Sequence, residues 1–225
     1  MNKLMLLLSL LWMSEVMKAQ ETINQLDEKG NRHGKWMKYY ENGSLRYQGE
    51  FSHGKELGVF KFFTEKNDKT PDFTKEYNSK TNLVKVNFYY PDGKLKSEGQ
   101  MKDKDRIGLW NYYFSDGKTK LSEETYLNGL LSGDYKIFYL NGKMTEWSTF
   151  KNGVLHGNSK RFSEEGVLIE EINYADGKLN GEVKYYSNSG VLQLKGHYIN
   201  DRSVGAWESY ENGKLKDITY PNKKQ

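Results

Sequence analysis

Four histidines and several paired carboxylates are the residues in this protein best suited to chemistry. They are His33, His53, His156 and His197, with Asp103/Asp105, Glu123/Glu124, Glu164/Glu165 and Glu170/Glu171. Histidine serves as a general base or a metal ligand, and carboxylate pairs do acid–base work. The spacing argues against both roles. No His-x-x-x-His occurs, and His33, His53 and His156 each stand directly before a glycine, which points to turns. Asp103/Asp105 and Glu164/Glu165 fall in predicted turns, as solvated charge. Glu123/Glu124 and Glu170/Glu171 fall in predicted strands, with one of each pair on a wet face. Cysteine is absent, so there is no thiol nucleophile and no disulfide. Neither Gly-x-Ser-x-Gly nor a phosphate-cradling glycine loop is found. The expectation is a protein that is not an enzyme, with no catalytic residue, no cofactor and no metal.

Something other than an active site must therefore explain the glycines. Gly34, Gly58, Gly108, Gly133, Gly157, Gly181 and Gly205 recur at steps of 24, 50, 25, 24, 24 and 24 residues. The long step hides a further unit at Val84, where glycine is lost. A short period repeated about eight times specifies stacked small units rather than one globular core. Taking the first glycine of each unit as position zero, a second falls near position nine, as in Asn42-Gly43, Asp92-Gly93 and Asn141-Gly142. A third pair closes each unit, as in His53-Gly54, Asn128-Gly129, Asn152-Gly153 and Asp176-Gly177. Asn-Gly and Asp-Gly favour two-residue hairpin turns, which need positive φ. Each unit is thus strand, tight turn, strand, looser turn, and the fold class is all-β. About 16 strands form an elongated, twisted antiparallel meander, a single open sheet. Pro71 and the run Asn67 to Thr70 indicate a longer loop between Phe63 and Val84.

Turn register and strand alternation then sort the side chains. With Asn42-Gly43 as a two-residue loop, Tyr40 faces Leu45 and Trp36 faces Gly49, a ring shielding a bare backbone. Gly49, Gly99 and Gly196 all fall at position fifteen. One face gathers Trp36, Phe60, Val86, Trp110, Tyr135, Val183 and Trp207 at position two. It is rich from Trp36 to Tyr139 and thins in the unit of Ser159, Arg161 and Ser163. The other face is polar apart from an aromatic at position five in all eight units, from Tyr39 to Tyr210. Arg46, Lys96 and Lys120 are expected across from three of these rings. This ladder is read as packing between repeats, with a ligand-stacking stripe as the other possibility.

Bulk composition agrees. The 225 residues have a mean hydropathy of −0.88, with 14% aromatics and only 3 prolines, unlike a disordered polypeptide. Net charge is +4 with the signs interspersed, and Lys102, Lys104 and Arg106 alternate with Asp103 and Asp105, so no nucleic acid partner is expected. Residues 1–19 differ: Lys3 precedes the apolar stretch Leu4 to Met13, and Ala19 suits a cleavage site before Gln20. This reads as a signal peptide, or alternatively an anchor that is kept. The protein is expected to be exported, to a periplasmic or extracellular envelope location.

Gly-x-Trp-x-x-Tyr-Tyr followed by Asp/Asn-Gly-Lys, best seen from Gly108 to Lys118, resembles the variant MORN repeat of bacteria. Gly34 to Gly54, Gly133 to Gly153 and Gly205 to Leu215 are also similar. The resemblance covers about residues 30–221 and implies stacked hairpins used as an interaction or scaffold module, sometimes labelled antitoxin-like. It brings no catalytic residue. The resulting organisation is a signal peptide at 1–19, a lead-in at 20–33, repeats over 34–221 and a tail at 222–225. Units begin near 34, 58, 84, 108, 133, 157, 181 and 205. The expected function is partner binding through the aromatic face, with Trp36, Phe60, Trp110, Tyr112, Phe114 and Tyr135 as contact residues. An unknown protein is the first candidate partner; a cell-wall glycan or an anionic membrane surface is the alternative.

Overall fold

The computed structural model describes residues 22–78 and 80–221. The expected signal peptide and the tail at 222–225 lie outside the described residues. The elements are β1 (Gln25–Leu26), β2 (Arg32–Tyr39), β3 (Leu45–Ser52), β4 (Lys55–Phe62), β5 (Phe73–Tyr77) and β6 (Leu83–Tyr89). They continue with β7 (Leu95–Lys102), β8 (Asp105–Tyr113), β9 (Lys120–Leu127), β10 (Leu130–Phe138), β11 (Met144–Lys151) and β12 (Val154–Phe162). The last are β13 (Leu168–Ala175), β14 (Lys178–Tyr186), β15 (Leu192–Ile199), β16 (Arg202–Glu211) and β17 (Lys214–Thr219). Each strand pairs antiparallel with the next, giving one open meander. The lead-in supplies an extra strand, β1. The stretch between Phe63 and Val84, expected as a loop, holds β5.

The two kinds of turn exchange the characters expected of them. The turns closing each unit are the two-residue ones, with positive φ at both residues: 50° and 86° at His53-Gly54, 50° and 84° at Asn152-Gly153. At Asn42-Gly43 only Gly43 is left-handed. Its N–H donates to the Tyr40 carbonyl at 3.0 Å, and the Tyr40 N–H donates to the Ser44 carbonyl at 2.9 Å. That is a three-residue loop with a bulge. It corrects the register by one residue, so Tyr39, not Tyr40, pairs with Leu45. Arg46 and Lys96 consequently lie over Tyr40 and Tyr90, at 5.6 and 5.9 Å from the ring centres, rather than over the position-five rings. Lys120 does pair with Tyr113.

A second correction concerns the bare backbone at position fifteen. Trp36 pairs with Gly49 as expected, but the ring over Gly49 belongs to Phe60, one strand further on. A Cβ on Gly49 would stand 2.4 Å from that ring; on Gly99, 2.2 Å from Trp110; on Gly196, 2.3 Å from Trp207. The cause is a bulge. Gln48 pairs with Lys61 and Glu50 with Leu57, so three residues, Gly58 to Phe60, oppose the single Gly49. The extra residues are admitted by the position-zero glycine in the left-handed region, and they drop the following ring onto position fifteen.

The repeat has two versions of this bulge. Where position fifteen is glycine, the next position-zero glycine has a φ of 66° (Gly58), 63° (Gly108) or 68° (Gly205). Where it is Glu124, Ser148 or Ile172, φ opens to 116° (Gly133), 94° (Gly157) or 119° (Gly181). The bulge then sits beside Thr125, Thr149 or Asn173. Thr149 Oγ1 donates to the His156 carbonyl, and Asn173 Nδ2 to the Glu182 carbonyl at 2.8 Å. In two of the three the position-two partner shrinks to suit, pairing Ser148 with Ser159 and Ile172 with Val183, while Glu124 meets Tyr135. Val84 has the same logic. The β4–β5 and β5–β6 ladders run without a register shift, so no left-handed residue is required there.

Both edges of the sheet are tied between units. Tyr40, Tyr90 and Tyr139 donate their hydroxyls to the carbonyls of Phe63, Tyr113 and Phe162, 23 residues later, at 2.8, 2.8 and 3.0 Å. On the other edge, Gly54, Gly129, Gly153 and Gly177 donate backbone N–H groups to the carbonyls of Arg32, Arg106, Leu131 and Leu155, at the starts of β2, β8, β10 and β12. These hairpins are therefore held to their neighbours by more than their ladders.

Candidate interaction face

Register places the aromatic face in two continuous rows. One runs Trp110, Glu124, Tyr135, Ser148, Ser159, Ile172, Val183 across consecutive strands. The other runs Tyr47, Phe62, Phe73, Phe88, Ser97, Tyr112, Ser122, Ile137, Glu146, Arg161, Glu170. Over the first half the rings form a relay from Trp36 through Phe51, Phe60, Phe62, Phe73, Phe88 and Trp110 to Tyr126. Its tightest link is the stack of Phe62 on Phe73, with centres 4.5 Å apart. Aromatic pairs at such distances add to the burial they bring.

The six expected contact residues divide. Phe60 is 2% exposed and Trp110 0%, so both form the floor of the face and not its surface. Their role in partner contact is corrected accordingly: a ring laid over a bare glycine is already buried by its own sheet. Trp36, Tyr112, Phe114 and Tyr135 are half-buried. Trp36 donates its indole N–H to the Gln25 carbonyl at 3.2 Å, as Trp110 does to Gln100 at 3.1 Å. Arginines cap the rings: Arg32 lies 4.0 Å from the Phe51 centre, Arg106 4.5 Å from the Trp110 ring centre.

A polar cluster interrupts the relay, and its members other than Tyr112 were not singled out from sequence as contact residues. Arg106 donates to the hydroxyls of Tyr112, at 2.6 Å, and Tyr126, at 3.2 Å. Tyr126 in turn donates to Glu124 at 2.6 Å. Burial pushes the Tyr112 hydroxyl well above its ordinary pKa, with Glu124 adding to it; Tyr126 rises from burial and its bond to Glu124. Tyr135 is raised by burial, then by Glu124 and Glu146. Beyond it, Ser148 donates to Glu146 at 2.8 Å and lies 2.8 Å from the Ser159 hydroxyl, while Arg161 bridges to Glu170 at 2.7 Å. The available sign was Glu124 itself, a carboxylate opposite position two where the other units carry glycine, lysine, serine, isoleucine or threonine.

The opposite face is a row of paired charges: Glu123 with Lys136 at 3.5 Å, Lys160 with Glu171 at 3.4 Å and Lys195 with Glu208 at 3.2 Å. Position-five hydroxyls are engaged on this face, Tyr113 donating to Glu98 at 2.8 Å and Tyr39 to the Met37 sulfur at 3.5 Å. Burial, then the Glu98 bond, pushes Tyr113 up to about 12. The ladder is thus engaged in holding the sheet.

Of the histidines, the fold brings His33 and His53 together, with ring centres 4.7 Å apart. His53 Nδ1 lies 2.8 Å from Asp27, whose carboxyl that bond holds down at about 2. An open groove of about 820 Å³ lies beside them, lined also by Leu26, Glu28, Lys29 and Asn31. His156 instead lies 3.5 Å from Asp176. Among the described residues no three His, Asp or Glu side chains converge as metal ligands.

The same architecture emerges from comparison with known proteins. No curated protein matches this sequence. Among solved structures it is similar to part of the "Crystal Structure of TcdB2-TccC3", at 11% identity and a TM-score of 0.22, over 88% of this protein and 14% of that one. This protein thus spans a small part of that one, and a likeness so distant carries no argument. Five segments match the MORN repeat variant family: residues 32–53, 85–103, 131–152, 155–176 and 179–200. The unit at Gly108, nearest the pattern by residue type, is not among them; its turn carries an extra residue between Tyr113 and Lys120. Each matched segment falls within the repeating hairpins of one continuous sheet, and the chain carries five repeats of the MORN variant type.

Proposed function

We propose that this protein is an exported, non-enzymatic interaction module that binds a protein partner through the aromatic face. The observation that carries this reading is the one-layer architecture. All described elements belong to one sheet, and among the described residues no second layer lies against the two aromatic rows. A contiguous face of that kind ordinarily meets a partner. Tyr112, Phe114, Tyr135 and Trp36 form the contacting surface, with Phe60 and Trp110 beneath them as a rigid floor. The engaged hydroxyls of the position-five ladder favour this face over the opposite one.

The test compares variants on the two faces. Tagged protein lacking residues 1–19 captures partners from its own envelope extract, read by mass spectrometry. Tyr112→Ala with Tyr135→Ala is expected to lower capture of the principal partner at least tenfold, since truncating an interface aromatic costs about 2 kcal/mol or more. Lys184→Ala on the other face is expected to leave it unchanged. Equal capture by both variants would remove the aromatic face from the proposal. Export has its own test: intact mass of the protein from the envelope fraction should place the first residue at Gln20, and a retained Met1 would contradict cleavage.

A further inference from the structure

Six Asn-Gly pairs occur in the sequence: 42–43, 128–129, 141–142, 152–153, 180–181 and 212–213. Such a pair can modify itself. The glycine amide nitrogen, once deprotonated, attacks the carboxamide carbon of the asparagine. A new bond forms between that nitrogen and that carbon, the bond from the same carbon to its NH₂ group breaks, and ammonia leaves with the proton. Water then opens either C–N bond of the resulting succinimide, giving aspartate or isoaspartate. No oxidant or reductant is involved. The reaction needs a glycine N–H free to lose its proton and free to swing, so a hydrogen bond on that N–H opposes it.

Five of the six pairs are restrained. Gly43 and Gly142 donate to the carbonyls of Tyr40 and Tyr139 within their own turns, at 3.0 and 2.9 Å. Asn141 is also held through its side-chain amide, which donates to Glu164 at 3.1 Å. Gly129 and Gly153 donate to the carbonyls of Arg106 in β8 and Leu131 in β10, at 3.0 and 2.7 Å. Asn180-Gly181 lies inside β14, where Gly181 pairs with Tyr198.

Asn212-Gly213 escapes both devices. It stands on the edge where glycines bond within their own three-residue turns, yet it is a two-residue turn, with φ of 52° and 75° and Glu211 paired with Lys214. It therefore lacks the internal bond, and the inter-turn column runs along the opposite edge. Among the described residues, the Gly213 N–H donates to no backbone carbonyl. The strand it launches, β17, is exposed at all six residues and pairs with β16 alone. A segment of that kind opens locally before the rest of the fold.

We propose that Asn212 is the site of spontaneous modification in this protein, and that isoaspartate there releases β17. Isoaspartate adds one carbon to the backbone of a two-residue turn whose length sets the strand register. The Trp207–Thr219 and Tyr210–Leu215 pairings are then lost, uncovering the Trp207 side of β16. The C-terminal edge becomes a time-dependent strand-pairing surface. Modification at Asn212 is independent of the proposed partner.

The repeat protein is aged at neutral pH and mapped by peptide mass spectrometry, folded and in concentrated urea. In the folded protein the Asn212 peptide is expected to gain one dalton about tenfold faster than each of the other five. In urea the six rates should converge. Any of the five keeping pace with Asn212 in the folded protein overturns the assignment. Aged protein should also lose hydrogen-exchange protection across Lys214–Thr219. Asn212→Asp, which carries the new charge without the extra carbon, should keep it; loss of protection in that variant overturns the register mechanism.

Discussion

Gly99 lies beneath the indole of Trp110, so close that a Cβ added to it would stand 2.2 Å from the ring. The two are 11 residues apart in different repeats, and the same offset joins Gly49 to Phe60 and Gly196 to Trp207. The pair is one packing unit: neither member makes sense without the other.

Gly99→Ala is therefore expected to destabilise the sheet by roughly 1–3 kcal/mol, the cost of overpacking. Trp110→Val in the same protein should recover part of that loss, since valine is what Ile172 meets at Val183. Urea unfolding of the two single variants and the double variant measures the coupling. Strictly additive losses would show that the ring and the glycine are independent.

Tyr40→Phe, Tyr90→Phe and Tyr139→Phe each remove one hydroxyl bond between repeats. Each is expected to cost about 0.5–1.5 kcal/mol. The three belong to separate units, so their effects should sum to within about 0.5 kcal/mol. Denaturation midpoints check this; a triple variant as stable as the parent would mean that the edge bonds contribute nothing.

In the second version of the bulge, Thr149 Oγ1 satisfies the bulged carbonyls of His156 and, at 3.4 Å, Asn158. Thr149→Val keeps the shape and removes the donor, and should cost about 1 kcal/mol. Hydrogen exchange should show the loss first around β11 and β12. Thr145→Val, in the same strand, is the comparison expected to cost less.

Alkaline pH should act through Tyr113. Its hydroxyl titrates at about 12 in the folded protein against an ordinary 10.0, raised by burial and by Glu98. The neutral form is therefore favoured by folding. That contribution is complete below pH 10 and is lost as pH rises through about 12. Absorbance titration of Tyr113 against Glu98→Gln checks the cause. The variant should move the transition to lower pH, and an unmoved transition would exclude the Glu98 bond.

How much of this was legible in the sequence differs by residue. The positions of the turns at His53-Gly54 and Asn152-Gly153 were, because positive φ restricts residue type locally, although they were expected to be the looser kind. The shared face of Trp36, Phe60 and Trp110 was too, because side chains alternate along a strand. The burial of Phe60 and Trp110 was not, and they were read as contact residues when they are the floor. Nor was the meeting of His33 with His53, which the β2–β3 pairing and the Gly54 bond to the Arg32 carbonyl bring about.

By itself the sequence determined the repeat, the strand-and-turn order and the single-sheet class, all of which follow from local conformational restriction repeated at a constant step. Only the tertiary structure decided which ring covers which glycine. That choice rests on the bulge, a three-against-one mismatch between neighbouring strands, and a mismatch is a property of the pairing rather than of either strand. The same mismatch explains Ser159 and Val183, and its absence beside β5 explains Val84. They look like lapses from the repeat when read along one segment and become matched pairs once the adjoining strand is beside them.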